Sequence, residues 1–294
     1  MTTAKVSVNP SKFRPLKGVR ILSLALNLPG PAALMRCQQM GARCTKLEPP
    51  AGDPMFHYKA EAYAALHLGI RVTRVDMKTD AGQKVLHRQL GNTDVLLTSF
   101  RPSALVRLGL GYKALHKQYP QLSQVAIVGG PGERAEEPGH DLTYLAEMGL
   151  VTGLELPATL YADMAGSIEA SQAVMQTVIY KAATGRGAYL EVALSKAAAY
   201  LALPRTWGLT TPGTVVGGGH AGYQLYRCKN GRVAVAALEP HFAARLCAAA
   251  GLAINQDMTH AATHIAIAAW LRGQTRVQLD KLARTKDIPL HTMA

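Results

Sequence analysis

In "EPGHDLTYLAEMGL", residues 137–150, a histidine and an aspartate stand side by side directly after Pro-Gly, and a further aspartate stands among apolar residues in "LYADMAGS". His140, Asp141 and Asp163 are residue types that carry protons or act as nucleophiles in enzymes. Each also has a plain structural use. Asp141 could cap the helix read in "LTYLAEM", Asp163 could cap the helix that follows it, and a lone histidine among ten is ordinarily a surface side chain. Glu239, ahead of Pro240 in "ALEPHF", is equally ambiguous, because proline favours the first position of a helix and the residue before it then takes the cap.

The elements that must position these side chains alternate. "GVRILSLAL" reads as a strand, "AALMRCQQMGA" as a helix closed by Gly41, and "RCTKLEPP" as a strand stopped by two prolines. A helix in "AGQKVLHRQLGNT", a strand in "DVLLTSF", a helix in "YKALHKQYP" and a strand in "LSQVAIVGG" continue the pattern. After the long helical run ending "YKAATGRG" comes the strand-like "AYLEVAL", and "YQLYRCKNGRVAVAAL" then reads as two strands joined across "KNG". The fold class predicted is α/β: a large Rossmann-like domain with a doubly wound parallel sheet over residues 1–199, a linker over 200–218 and a small α+β domain over 219–294.

The first turn, "LNLPGPAAL", lacks the G-x-G-x-x-G of dinucleotide folds, so NAD and FAD are not expected. Its Pro-Gly-Pro leads into a helix whose backbone N–H groups could still face an anion. The net charge of +13 is concentrated: residues 1–120 carry 18 basic and 6 acidic side chains, the remainder 14 and 13. That asymmetry favours an anionic partner or a solvated basic face. Nucleic acid lacks further support, since no helix-turn-helix, zinc or RNA-binding motif is present and aromatic residues make up only 6%. No apolar run reaches the roughly 18 residues of a membrane span, and "MTTAKVSVNPSKFRP" has no secretory core, so a soluble cytoplasmic protein is expected. Cys37, Cys44, Cys228 and Cys247 have no metal-ligand spacing and read as buried thiols, and no metal is expected.

The stretch "LKGVRILSLALNLPGPAALMRCQQMGARCTKLEPPAGDP" resembles the opening of the family III CoA-transferases (CaiB/BaiF-like), a group that includes the α-methylacyl-CoA racemases. The likeness continues in order through "VDMKTDAGQKVL", "DVLLTSFRPSALVRLGLGY", "GHDLTYLAEMGL", "YADMAGS", "ATGRGAYLEVAL" and "YRCKNGRVAVAALEPHF". It implies an acyl-CoA enzyme that binds no permanent cofactor and meets coenzyme A as part of its substrate. In the racemase branch it makes His140 and Asp163 the acid–base pair on either side of the acyl α-carbon, with Asp141 orienting His140 or joining the relay and Glu239 nearby. Donors for the enolate oxygen are then expected from backbone N–H groups around "MAGS". In the transferase branch Asp163 instead attacks the thioester; the glycine-rich "GGGHAG" resembles a loop that shields such intermediates. For CoA, the resemblance carries over Arg101, Arg107 and Tyr144, with Lys46 and Arg71 as further contacts.

The sequence also departs from the family. "HLGIRVTRVDM" stands where a Lys/Arg-rich segment is usual, so a nucleotide contact is missing or replaced by Arg71 or Arg74. His140 and Asp163 are 23 positions apart, which implies a short acyl-pocket loop. The C-terminal return of the family is expected to be truncated after "LARTKDIPLHTMA", leaving a homodimer expected but its interlocking open. Three classes follow: an α-carbon racemase or epimerase ahead of a CoA-transferase, a degenerate binder of CoA esters, and a nucleic-acid binder resting on charge alone.

Overall fold

Leucine-rich and β-branched runs become the strands of the first of two compact units, which reaches to Ala202; the second is Leu203–Ala294. The computed structural model describes residues 13–294, so most of the N-terminal stretch examined for a leader lies outside them. The order is β1 (Arg20–Ser23), α1 (Pro29–Gln39), β2 (Arg43–Glu48), α2 (Pro54–Tyr58), α3 (Ala60–Leu66), β3 (Arg71–Arg74), α4 (Asp80–Leu90) and β4 (Val95–Thr98). It continues with α5 (Pro102–Arg107), α6 (Tyr112–Gln118), β5 (Ser123–Val128), α7 (Asp141–Glu147), α8 (Tyr161–Thr184), β6 (Tyr189–Ala193) and α9 (Leu194–Leu201).

All six strands pair in parallel in the order β3-β2-β1-β4-β5-β6. The chain winds outward from β1 to β3, then restarts beside β1 with β4 and winds the other way. A parallel sheet covered on both faces needs apolar residues at successive positions, and β4 and β5 are buried along their whole lengths. Ile21, Leu97 and Val125 pack on one face with Leu34 of α1 and Val174 of α8. Their neighbours Leu22 and Leu96 pack on the other face with Leu86 of α4 and Leu115 of α6.

The turn between β1 and α1 is tight for a steric reason. A Cβ on Gly30 would lie 2.2 Å from Ala25 Cβ, so only glycine lets the helix start this close to the strand. Helix α8 is the long strut of the unit: it packs on α1, α7 and α9 and across β4, β5 and β6. It stops at Gly185, whose φ of +69° is the left-handed conformation that ends helices.

The second unit contains α10 (Leu203–Thr206), β7 (Tyr223–Cys228), β8 (Gly231–Ala236), α11 (Pro240–Ala249), α12 (Ala261–Arg272), α13 (Arg276–Lys286) and β9 (Leu290–Met293). The hairpin across Lys229 and Asn230 forms in register, and β9 adds to β8 on its other side, making a three-stranded antiparallel sheet. Val233, Leu246, Ile267 and Leu279 form its core. Within the segment read as a linker lie α10 and a single turn at Val215–Gly217. All four cysteines are buried free thiols, and burial pushes Cys37 and Cys44 up to about 12. Among the described residues no helix is long and apolar enough to cross a membrane.

Candidate active site

A cleft of about 270 Å³ opens where the loops after β1, β4 and β5 meet α7 and the start of α8. These are the carboxyl ends of strands on both sides of the β1/β4 junction, where the winding reverses and the loops diverge to leave a crevice. Arg101, His140, Tyr144 and Asp163 all line it, together with Asn27. Four of the nine residues singled out in the sequence are thus brought to one place.

Asp163 lies in the first turn of α8 and is half-buried. Its backbone N–H donates to Asp141 Oδ1 at 3.0 Å. Burial, and then the neighbouring Asp141, push the Asp163 carboxyl up to about 7. A helix N-terminus favours the anion, but here desolvation wins. A carboxyl poised near neutrality exchanges protons readily in either direction.

His140 is the exposed cap residue of α7. Its backbone N–H donates to Thr143 Oγ1 at 3.0 Å, and that hydroxyl donates back to the His140 carbonyl at 2.7 Å, which fixes the backbone at the start of α7. The segment leading to it is clamped by Arg134, which forks onto Glu147 with two bonds of 3.0 Å and reaches Glu137 at 3.2 Å. Sequence reasoning missed this clamp because its partners are 3 and 13 positions away in a region without periodicity.

Tyr144 is buried beneath two glycines. A Cβ on Gly129 would come within 2.4 Å of its hydroxyl, and one on Gly139 within 2.6 Å of its ring. The Pro-Gly before His140 therefore makes room for a tyrosine. Burial raises the Tyr144 phenol, which keeps it a neutral donor. Asn27, missed in the sequence, sits in the turn after β1 at φ +65° and adds an amide to the lining.

Several expectations need correction. Asp141 is buried and holds the Asp163 backbone, tying the starts of α7 and α8 together; it neither caps α7 nor bonds His140. The backbone around "MAGS" does not offer oxyanion donors, because α8 already begins at Tyr161 and the N–H of Met164 donates to Leu160 O at 3.1 Å. Lys46 is fully buried, with its ammonium between Asp53, Glu48 at 3.1 Å and His67 Nε2 at 3.0 Å, so it is unavailable to a phosphate in the cleft. The ligand atoms of Glu48, Asp53 and His67 lie within 4.8 Å of one another, a spacing that could hold a metal ion, but Lys46 already supplies the positive charge there.

Arg107 is exposed on α5 and does not line the cleft; with Arg101 it faces Glu136, which two bonds from Ser103 and then these arginines hold below the usual carboxylate range. Arg71 is also outside the lining, beside Arg20 and Arg43 at the far end of the strands. Glu239 belongs to the second unit, where it precedes α11 without a side-chain cap bond. In that unit a Cβ on Gly217 would sit 1.9 Å from Thr211 O, so the glycine-rich loop is folded tightly on its own backbone.

A doubly wound sheet with a carboxyl, an imidazole, a phenol and a guanidinium gathered at its switch point defines an α/β protein built to hold a ligand there. The chain belongs to CoA-transferase family III, whose profile matches residues 16–294. Cinnamoyl-CoA:phenyllactate CoA-transferase of Clostridium sporogenes is 32% identical over 205 residues, which cover 62% of this chain and 50% of that protein. Human alpha-methylacyl-CoA racemase is 28% identical over 255 residues, covering 81% and 65%. The chain therefore spans between half and two thirds of the length of these relatives. The crystal structure of a hypothetical protein (Rv3272) from Mycobacterium tuberculosis shares the fold, with a TM-score of 0.81 at 23% identity over 95% of this chain and 85% of that one.

Proposed function

We propose that this chain acts on acyl-CoA thioesters, moving a proton at the carbon beside the thioester carbonyl in the manner of a racemase. The observation that carries this reading is the Asp163 carboxyl, raised to about 7 in a cleft that His140 also lines. The thioester acidifies the α-carbon. Ionised Asp163 takes the α-proton, the C–H electron pair passes into the enolate, and protonated His140 returns a proton to the other face; the reverse reaction exchanges the roles. Tyr144 and the Asn27 amide are the proposed donors to the enolate oxygen. Arg101 is proposed to fork onto phosphate oxygens of CoA, which enters as part of the substrate; no permanent cofactor is invoked.

A second reading uses the same carboxyl as a nucleophile, and the 32% identity to a CoA-transferase favours it. Asp163 attacks the thioester carbonyl and expels CoA thiolate, leaving a mixed anhydride. The thiolate then attacks the aspartyl carbonyl, releasing the first acid and forming an aspartyl-CoA thioester that a second acid resolves. Glu239 is kept as a further candidate in either branch. The assembled enzyme is proposed to be a cytoplasmic homodimer, and a light-scattering mass of one chain would remove the dimer.

The deciding experiment is incubation with 2-methylacyl-CoA thioesters in D2O, following α-deuterium by mass spectrometry. Racemase chemistry requires incorporation that both His140→Ala and Asp163→Ala reduce by about 10²–10⁴-fold, with CoA binding kept. Incorporation unchanged in either variant rejects the pair. No incorporation in the wild type, together with a trapped adduct that Asp163→Ala removes, establishes transfer; CoA binding with neither leaves a non-catalytic binder.

A further inference from the structure

At the other end of the sheet, three arginines open three neighbouring strands: Arg20 in β1, Arg43 in β2 and Arg71 in β3. The register places Arg20 directly beside Arg43, and Arg71 beside Thr45. Adjacent strands are about 4.8 Å apart, and like charges set side by side on a sheet repel. Residues two apart on a strand share a face, so Arg43 and Thr45, with Arg20 and Arg71 as their partners, point to the same side. The end of α4 and the turn after it border that side, leaving a recess of about 320 Å³ lined by the three arginines, Thr45, Gln89 and Asn92 among others, with no acidic residue in the lining.

The compensation nearby is incomplete. Asp94, just outside the recess, takes Arg20 through bonds of 3.0 and 3.2 Å and Lys181 at 2.8 Å. Burial alone would raise this carboxyl, but the bonds from Arg20 and Lys181 outweigh it and hold Asp94 at about 2. Among the described residues, no ion pair uses Arg43 or Arg71. The carbonyl end of α4, which would repel an anion, is partly closed: Asn92 donates to Arg88 O at 3.2 Å and Thr93 to Gln89 O at 2.8 Å.

We propose that this recess is a second anion site, separate from the cleft, which takes a phosphate or pyrophosphate group of a small molecule through Arg43 and Arg71, with Arg20 held beside them by Asp94. Guanidinium forks match phosphate oxygens and retain their charge at every physiological pH. The recess is at the lower end of the size range of small-molecule pockets, about 300–1,000 Å³, and is concave rather than an extended stripe, which favours a small phosphorylated molecule over a nucleic acid. Strand β1 is four residues long, so about 13 Å of strand lies between the recess and the cleft. This proposal is independent of the acyl-CoA reading.

The test is calorimetric titration of the full chain with pyrophosphate in about 0.15 M salt, where exposed charges are largely screened. Saturable binding is expected, weakened by about tenfold or more in Arg43→Ala/Arg71→Ala, partly restored in Arg43→Lys/Arg71→Lys, and kept in the charge control Arg272→Ala on α12. Circular dichroism of each variant confirms that it is folded. Absence of saturable binding overturns the proposal. So does loss of binding in Arg101→Ala with Arg43→Ala/Arg71→Ala unaffected, which assigns the probe to the cleft, and so does equal weakening by Arg272→Ala, which reduces the effect to net charge.

Discussion

Glu48 and Asp53 lie in the interior with the Lys46 ammonium between them, whereas Asp163 lies at a cleft with a second carboxylate, Asp141, behind it. Around Lys46 every polar group has a partner: His67 Nδ1–H donates to Tyr63 O at 2.7 Å, the Tyr63 hydroxyl donates to Glu48 at 2.9 Å, and Asp53 Oδ1 accepts from the N–H groups of Asn27 and Met55, each at 2.9 Å. Burial, together with Lys46, keeps His67 below its ordinary value, so it stays the neutral acceptor of the ammonium. Asp163 has a backbone partner but no cation within ion-pair distance among the described residues, and its proton is held correspondingly tightly. Burial with compensation fixes a structure; burial without it tunes a reactive group.

The comparison can be broken most forcefully at Lys46. Lys46→Ala leaves two carboxylates buried without their cation and should cost about 3–5 kcal/mol in urea unfolding; a loss under about 1 kcal/mol would mean that the cluster is not the compensated pair described. Asp163 should behave in the opposite sense. Its folded value of about 7 lies above the unfolded carboxylate value, so its contribution to stability is complete below about pH 4 and is lost as pH rises through 7. Asp163→Asn should therefore be more stable than wild type by about 1–4 kcal/mol at about pH 8 and equal at about pH 4. Equal curves at both would refute the raised carboxyl.

Asp141→Asn sharpens the contrast on a smaller scale. The amide oxygen can still accept the Asp163 N–H, so the expected loss is about 0.5–1 kcal/mol. The activity profile that follows Asp163 should move to lower pH, though not fully to the ordinary carboxylate range, because burial is the larger cause. A profile that stays in place would remove Asp141 from the electrostatics of the site. The smallest effect is expected at Thr79, which caps α4 through a 3.1 Å bond from Gly82 N–H, remote from both acids. Thr79→Ala should cost about 1 kcal/mol at every pH and leave activity unchanged.

Much of the alternation in the first unit was readable because its central strands carry continuous apolar runs, β4 and β5 being buried along their whole lengths, and glycine or proline punctuates the helices between them. The final strand was not. "PLHTM" has no alternation, and β9 exists because its backbone pairs with β8. Strand β3 was missed for a similar reason: "RVTR" looks like a run of cations, and its edges are exposed.

At the site, His140, Asp163, Arg101 and Tyr144 were readable by motif, and motifs preserve spacing. Lys46 was carried over as a further CoA contact, whereas the structure places its ammonium in the interior between Glu48 and Asp53. Lys46 and Glu48 alternate about Leu47 on β2, a sign that two opposite charges share one face of a strand. The partners that bury them come from α3 and from the residue before α2, and no local pattern reveals them.

The placement of β9 also bears on the timing of synthesis. The six-stranded sheet is complete once residue 193 has left the ribosome, whereas the antiparallel sheet cannot close until residue 293 has emerged. At about 5–20 residues per second, the first unit has about 5–20 s to settle before β9 emerges, and for roughly the last 3–11 s of that time the completed β7–β8 hairpin exposes the edge that β9 will cover. That unpaired edge is the stretch of the nascent chain that a chaperone has most reason to shield.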